Sequence, residues 1–212
     1  MRSPRETAQA SRDAADPIVI VGIGGTISPT SSSDQALRLV MDEVNRLGGE
    51  VRSFAGEFLR KLPLYDPTSD SRTPEAVELI EALRVADGVV ISSAAYHGSV
   101  SGMLKNALDY IEDMAHDDSI YLAGKPVGVV TVAKGWQAGV NTLTTVRAIV
   151  HALRGWPTPY GCVINTTTPL PGSPPPLEAA VDGLAVVAAE VVSAAHRLAD
   201  VEVAHSAAAV AS

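Results

Sequence analysis

Short apolar runs and helical patterns alternate five times along this chain of 212 residues. The runs are rich in Val, Ile and small residues, and they lie at residues 18 to 23, 50 to 54, 88 to 92, 126 to 132 and 160 to 165. After each run, apolar residues recur at steps of three and four, the spacing of a helix that buries one face. These stripes lie at residues 37 to 47, 77 to 83, 100 to 111, 140 to 153 and 181 to 198. The alternation predicts an α/β fold with right-handed crossovers between parallel strands.

The number of strands favours one arrangement, a doubly wound five-stranded parallel sheet in the order 2-1-3-4-5. Helices on both faces of this sheet would give a three-layer α/β/α architecture. A chain of 212 residues is long enough for one substantial core and short for two domains. We therefore predict a single domain over residues 17 to 200, a flexible N-terminal tail over residues 1 to 16 and a flexible C-terminal tail over residues 201 to 212.

Charge and composition exclude several classes of partner. The formal net charge of −8 argues against a nucleic-acid surface, because phosphate contacts along a nucleic acid need clustered Lys and Arg. No apolar run approaches the ~20 residues that span a bilayer, and the N-terminus lacks the apolar core of a secretory signal, so we expect no membrane contact. The single cysteine, Cys162, fits a reducing compartment, and a cytoplasmic location is predicted. The acidic residues between 112 and 118 show no basic partner nearby in the sequence, so a solvated turn is expected there and no metal site.

In a sheet of this order, ligands bind beyond the carboxyl ends of the strands, where the strand order reverses. The first-strand loop, residues 24 to 33, reads Gly-Gly-Thr-Ile-Ser-Pro-Thr-Ser-Ser-Ser and leads into a helix that begins near Asp34. Glycines allow a tight turn, hydroxyls donate hydrogen bonds, and a helix N-terminus attracts an anion. This chemistry suits a phosphate group. The alternative is that residues 31 to 34 only cap the helix.

Two features of the first-strand loop distinguish between nucleotides. A dinucleotide fingerprint that starts at Gly22 would need a third glycine where Ile27 stands, and no acidic residue ends the second strand at Ser53 and Phe54. A Gly-Lys-Ser/Thr sequence does not follow, which excludes a P-loop NTPase. A mononucleotide remains, and FMN is the usual mononucleotide of this topology.

Two more loops belong to the same predicted edge. The third-strand loop, residues 92 to 99, reads Ser-Ser-Ala-Ala-Tyr-His-Gly-Ser, in which small residues let a flat ligand approach and Tyr96 and His97 offer ring contacts. The fourth-strand loop, residues 133 to 137, reads Ala-Lys-Gly-Trp-Gln and offers Trp136 as a wall. The alternatives are an exposed loop with an incidental aromatic residue, and a tryptophan that covers a subunit interface.

Residues 96 to 109 read Tyr-His-Gly-Ser-Val-Ser-Gly-Met-Leu-Lys-Asn-Ala-Leu-Asp. This segment resembles the Pro-x-Tyr, small-residue, Gly, Leu-Lys-Asn, Asp stretch of the flavodoxin-like NAD(P)H-dependent FMN reductases. The first-strand loop is similar to that family's Gly-x-x-Arg-x-x-Ser phosphate segment, and the resemblance runs from residue 18 to residue 165. Three positions depart from the family pattern. Ser28 stands where Arg is common, Ala94 stands where Pro is usual, and Lys134 replaces one of a glycine pair.

The resemblance implies a set of FMN-binding residues in the three loops. Around the FMN phosphate it places Thr26, Ser28, Ser31, Ser32 and Ser33. Bordering the ribityl chain and the isoalloxazine it places Ala95, Tyr96, His97, Gly98 and Ser99. Near the pyrimidine edge, or near a neighbouring subunit, it places Lys134, Gly135 and Trp136. It implies no catalytic side chain, because the flavin itself carries the electrons.

The function that the resemblance implies is an NAD(P)H-dependent FMN reductase, in which NADPH or NADH passes a hydride to FMN. The reduced flavin would then supply a monooxygenase. One alternative is an FMN-containing quinone or azo reductase, and another is a flavin-binding or interaction protein without turnover. The family is usually dimeric or tetrameric, so a homodimer or homotetramer is expected. No arginine pair in the sequence selects NADPH over NADH.

Overall fold

The computed structural model describes residues 17–28, 30–167 and 171–210, with side chains as far as Val201. The predicted N-terminal tail, residues 1 to 16, lies outside the described residues. The last helix extends to Val210, and the predicted boundary between the domain and a C-terminal tail after residue 200 stays a prediction.

Five parallel strands form one sheet, and each strand begins or ends close to its predicted position. In chain order they are β1 (Val19–Gly24), β2 (Glu50–Phe54), β3 (Gly88–Ala94), β4 (Pro126–Ala133) and β5 (Trp156–Asn165). Their order in the sheet is β2-β1-β3-β4-β5, and every neighbouring pair is parallel. This is the flavodoxin-like order, and it confirms the predicted fold class and sheet order.

Six α-helices of the described chain cover the two faces of the sheet. They are α1 (Ser32–Arg46), α2 (Gly56–Leu59), α3 (Pro74–Val85), α4 (Gly102–Asp109), α5 (Trp136–Ala152) and α6 (Val181–Val210). On one face, α1 and α6 pack on the strand side chains that include Ile20 and Val130. On the other face, α3, α4 and α5 pack on the alternate strand side chains, such as Val21 and Val129. The side chains of each strand therefore fill two cores, which makes the three predicted layers.

Burial differs between the central and the edge strands, although the mostly exposed edge strand β2 also lies at its predicted residues, 50 to 54. All residues of β1 and β4 are buried, as in central strands covered on both faces. β5 begins four residues before its predicted start at residue 160, and its first residues include Pro157 and Pro159. Proline lacks a backbone N–H and argues against a central strand. Since β5 is an edge strand, its open side tolerates both prolines.

An arginine clamp holds the chain between α2 and α3, which has no regular structure from residue 62 to residue 73. The Arg72 guanidinium donates from Nε and Nη2 to the two carboxylate oxygens of Asp113, at 2.6 and 2.8 Å. It also lies over the rings of Tyr65 and Tyr110. Arg84 makes a similar ion pair with Asp117. The expectation that this acidic segment lacks basic partners is therefore wrong, because both partners come from distant parts of the sequence.

One stretch, Glu178–Val201, is long and apolar enough to cross a bilayer by length and composition alone. It comprises the turn that precedes α6 and most of α6 itself. In the structure Leu184, Val187 and Val191 of this helix are buried in the core beside α1 and the sheet. Packing within the domain therefore accounts for part of the apolar character of α6, since 33% of its most apolar window is buried and Val186 is 42% exposed.

Removing the Arg72 side chain tests the clamp. Arg72→Ala leaves the largely buried Asp113 carboxylate without its partner, so we expect the free energy of unfolding to fall by about 2 kcal/mol in urea denaturation. Arg60→Ala is the matched control, because the Arg60–Glu57 pair is exposed at 58% and 71% of its side chains. An equal loss of stability in both variants would contradict a specific role for the clamp.

Candidate functional site

The three candidate loops lie side by side at the carboxyl edge of the sheet. Gly24 of β1 pairs in register with Ser92 of β3, and Ala94 of β3 pairs with Val132 of β4. The third-strand loop therefore lies between the other two. The first-strand and fourth-strand loops are separated by two strand spacings, about 10 Å.

A buried carboxylate organises the first-strand loop. Asp34, in the first turn of α1, is 6% exposed, and its Oδ1 accepts a hydrogen bond from the backbone N–H of Thr26 at 3.2 Å. Gly25 has a φ of +91°, and a Cβ atom there would overlap Asp34 Oδ1. Gly56, which begins α2, lies against the same carboxylate, since a Cβ atom there would come within 3.1 Å of Asp34 Oδ2. One side chain thus joins the loops after β1 and β2 to the start of α1.

The ionisation of Asp34 reflects two opposing effects. Burial is the larger effect and raises the pKa of the Asp34 carboxyl above its ordinary value, although the backbone N–H of Thr26, the charge of Arg38 and the backbone of Gly56 each lower that pKa. Burial disfavours the charged form of a carboxyl group, whereas N–H donors and a nearby cation favour it. The first-strand loop therefore already contains an acidic group of the protein itself.

The hydroxyls of the first-strand loop fall into a buried group and an exposed group. Ser31 caps α1 by accepting a hydrogen bond from the backbone N–H of Asp34, and its Oγ lies 2.8 Å from Ser33 Oγ. Both of these serines are buried. Ser28 and Thr30 are exposed, and their hydroxyl oxygens lie 3.1 Å apart. The capping interpretation thus holds for Ser31, while Ser28 and Thr30 keep exposed hydroxyls for a ligand.

The third-strand loop is a tight turn closed by two backbone hydrogen bonds. Tyr96 and Ser99 each donate a backbone N–H to the carbonyl of the other, both at 3.0 Å. The two residues between them, His97 and Gly98, have φ values of +53° and +79°. Such a turn is rigid at its base and leaves the Tyr96 side chain 53% exposed. The turn is also tied to α5, because Thr142 Oγ1 donates to the Ser99 carbonyl at 3.3 Å.

The fourth-strand loop is fixed from the neighbouring strand. Gly135 has a φ of +115° and donates its backbone N–H to Asn165 Oδ1, at the end of β5, at 2.9 Å. No side chain caps α5, and Trp136, its first residue, is 62% exposed. Lys134 is also exposed. An aromatic side chain and a cation are therefore accessible beside the third-strand loop.

The structure gathers the predicted residues at one edge of the sheet and gives them different surroundings. Five of them are partly exposed: Thr26, Ser32, Ala95, Gly98 and Gly135. Six are exposed: Ser28, Tyr96, His97, Ser99, Lys134 and Trp136. Hydroxyls and a helix N-terminus at one end, with small and aromatic residues at the other, fit a flavin mononucleotide in type. Sequence reasoning missed Asp34, Ser92 and Asn165 as organising residues. The only sequence signal that could have identified these three residues is that each is a polar side chain at the end of a loop.

A separate groove of about 500 Å³ lies between β5 and α6. Pro126 and Trp156, at the amino ends of β4 and β5, line one side, and Arg197 lines the other. The groove is at the opposite end of the strands from the three loops and is not part of the candidate site.

Comparison with known proteins gives a consistent result for the family. A family model described as NADPH-dependent FMN reductase matches residues 18–168. The chain is 33% identical over 130 residues to an NADPH azoreductase of Bacillus sp. (strain OY1-2), and the match covers 61% of this chain and 66% of that protein. It is 39% identical over 92 residues to a quinone reductase of Escherichia coli (strain K12), covering 42% of this chain and 47% of that protein. The chain thus spans between about half and two thirds of the length of these relatives.

A solved structure of an oxidoreductase from Corynebacterium diphtheriae is similar in fold. The TM-score is 0.66 over 84% of this chain and 96% of that chain, at 19% sequence identity. At this identity the likeness extends to the fold alone.

Two glycine substitutions test whether the Asp34 carboxylate shapes the first-strand loop. Gly25 and Gly48 have nearly the same φ, +91° and +90°, but a Cβ atom at Gly48 meets nothing within 4 Å. Gly48→Ala should cost about 1 kcal/mol for its backbone conformation alone. Gly25→Ala should cost about 1 to 3 kcal/mol more, because the added methyl group displaces the carboxylate. Urea denaturation of both variants measures the difference, and equal losses would show that the carboxylate is not held as described.

Proposed function

The chain belongs to the NADPH-dependent FMN reductase family, and on that premise we propose that it binds FMN in the three loops and reduces it with NADPH or NADH. Membership makes the chain an oxidoreductase of a flavin-dependent family. The observation that carries the proposal is the position of the three loops, which are adjacent at the edge where this topology binds ligands.

In this proposal each loop has a distinct task. The exposed hydroxyls of Ser28 and Thr30 and the N-terminus of α1 bind the phosphate. The third-strand turn holds Tyr96 against the flavin ring, and its two internal hydrogen bonds keep the ring contact in place. Trp136 and Lys134 border the far end of the flavin. The loops together position the cofactor and exclude water from one side of it.

FMN, when bound, supplies the atom that accepts the hydride, so the protein needs no nucleophile or acid–base pair of its own. Within the described residues no three His, Cys, Asp or Glu side chains are grouped as metal ligands would be. The side chains nearest the proposed ring position, Tyr96 and His97, are exposed. Their part is to contact the ring and leave room for a nicotinamide to stack on its other face.

Two uses of the reduced flavin are compatible with this site. The reduced flavin can leave and supply a monooxygenase, or it can stay and reduce a quinone or an azo compound. The relatives named above are an azoreductase and a quinone reductase. Their names favour, as the second candidate function, a quinone or azo reductase that keeps its flavin bound. A flavin-binding protein without turnover is the remaining alternative.

We further propose a cytoplasmic homodimer or homotetramer. Leu64 is 86% exposed and Val140, one turn after Trp136, is 50% exposed, so the surface of the domain carries accessible apolar side chains. Contact between copies of the chain would cover such residues. The free thiol of Cys162 is compatible with a reducing compartment.

Oxidation of NADPH and of NADH, followed at steady state with and without added FMN, tests the proposed activity. Turnover only in excess FMN supports a reductase that releases its flavin. Turnover of a quinone or an azo dye by purified yellow protein, without added FMN, supports the quinone or azo reductase. A colourless protein that binds no FMN and oxidises neither nucleotide would overturn both activities.

The two tryptophans of the chain provide a test of where FMN binds. Trp136 follows the carboxyl end of β4, whereas Trp156 pairs in register with Pro126 at its amino end, roughly 23 Å along the strand. Both are exposed, at 62% and 57%. In Trp156→Phe, FMN should therefore quench the fluorescence of Trp136 strongly. In Trp136→Phe, the quenching of Trp156 should be weaker, and the reverse order would place the flavin at the other end of the sheet.

A further inference from the structure

The Asp34 carboxylate lies in the part of the first-strand loop where a phosphate-binding loop offers its donors. It is 6% exposed and carries no role in the family resemblance. It accepts a hydrogen bond from Thr26 N–H at 3.2 Å, and it lies against Gly56. The Thr26 N–H is thus engaged by an acidic side chain of the protein itself. A phosphate in this loop has to bind outside this N–H, towards Ser28 and Thr30.

Asp34 also interacts with the dipole of α1, the same dipole that would attract the phosphate. It lies in the first turn of α1, where a negative charge is stabilised by the unpaired N–H groups of the helix. A bound phosphate at the same N-terminus would therefore meet a like charge close by. The low exposure of Asp34 increases this repulsion, because water screens a buried charge poorly.

The compensating positive charge near the loop is small. Position 28 holds a serine, which brings a hydroxyl and no charge. The described cation that interacts with Asp34 is Arg38, one turn further along α1 and itself exposed. The charge of Arg38 is therefore divided between solvent, Asp34 and any phosphate.

We propose that Asp34 is a specificity-determining residue that lowers the affinity of the site for the phosphate of FMN. The consequence, which rests on the proposed function, is a weak preference for FMN over riboflavin, the same flavin without the phosphate. The site then recognises its flavin mainly through the ring contacts of the third-strand and fourth-strand loops. A flavin held in this way exchanges readily with flavin in solution.

The test is the ratio of two dissociation constants, for FMN and for riboflavin, measured by flavin fluorescence on the full-length chain. Asp34→Asn removes the charge and keeps the shape of the side chain. We expect this variant to increase the preference for FMN over riboflavin by about tenfold, the size of a moderate charge repulsion. Riboflavin affinity should change little, because riboflavin carries no phosphate to be repelled.

Asp42→Asn is the matched control. It makes the same substitution on an exposed residue of the same helix, about 12 Å further along its axis. It should leave the ratio unchanged, which separates a local effect of Asp34 from an effect of net charge. If Asp34→Asn does not fold, as judged by circular dichroism, Asp34→Ser replaces it, since serine also removes the charge and is smaller than aspartate.

The outcomes separate this proposal from the function on which it rests. Suppose that the wild-type protein binds flavin and oxidises NADPH, but that Asp34→Asn leaves the ratio of dissociation constants unchanged or shifts it towards riboflavin. This result overturns the role of Asp34 and leaves the reductase proposal intact. A wild-type protein that binds neither flavin overturns the reductase proposal and this inference together. A rise in FMN preference in Asp34→Asn alone supports both.

Discussion

The parallel pairing of β1 with β3 is the constraint on which the candidate site depends. Gly24 lies opposite Ser92 in register, and a Cβ atom at Gly24 would overlap the Ser92 carbonyl. The same carbonyl accepts the backbone N–H of Gly25, and Ser92 Oγ donates to the carbonyl of Ser33. The first-strand loop is therefore fixed to β3 at both of its ends. This places it beside the Tyr96 turn and gives the flavin proposal its geometry.

Polar groups at the ends of neighbouring elements then shape each loop. Asp34 accepts the Thr26 N–H of the first-strand loop from the start of α1, and Asn165 accepts the Gly135 N–H of the fourth-strand loop from the end of β5. Both side chains use backbone N–H groups that would otherwise face a ligand or solvent. The site thus combines a well-fixed backbone with modest positive charge. This combination is the basis of the proposal that the site recognises the flavin ring more than the phosphate.

Membership of the FMN reductase family indicates flavin-dependent redox chemistry, and the sheet order places a ligand site at the carboxyl edge of the strands. The relatives differ in the acceptor that their names give, and the chain spans only part of their length. The family therefore constrains the class of reaction more tightly than it constrains the electron acceptor.

The sequence by itself determined the five strands, their order and the positions of the three loops. The central strands are buried on both faces and leave continuous apolar runs in the chain, and the alternation of strands with amphipathic helices favours this order. The sequence determined little about the contacts between residues that are distant along the chain. The Arg72–Asp113 pair joins positions 41 residues apart, and the start of β5 depends on its place at the edge of the sheet. The contact of Asp34 with Gly56 likewise required the crossover from β1 through α1 to β2 to be in place. Local patterns report burial and periodicity, whereas these contacts are fixed only by the register of the strands and the path of the loops between them.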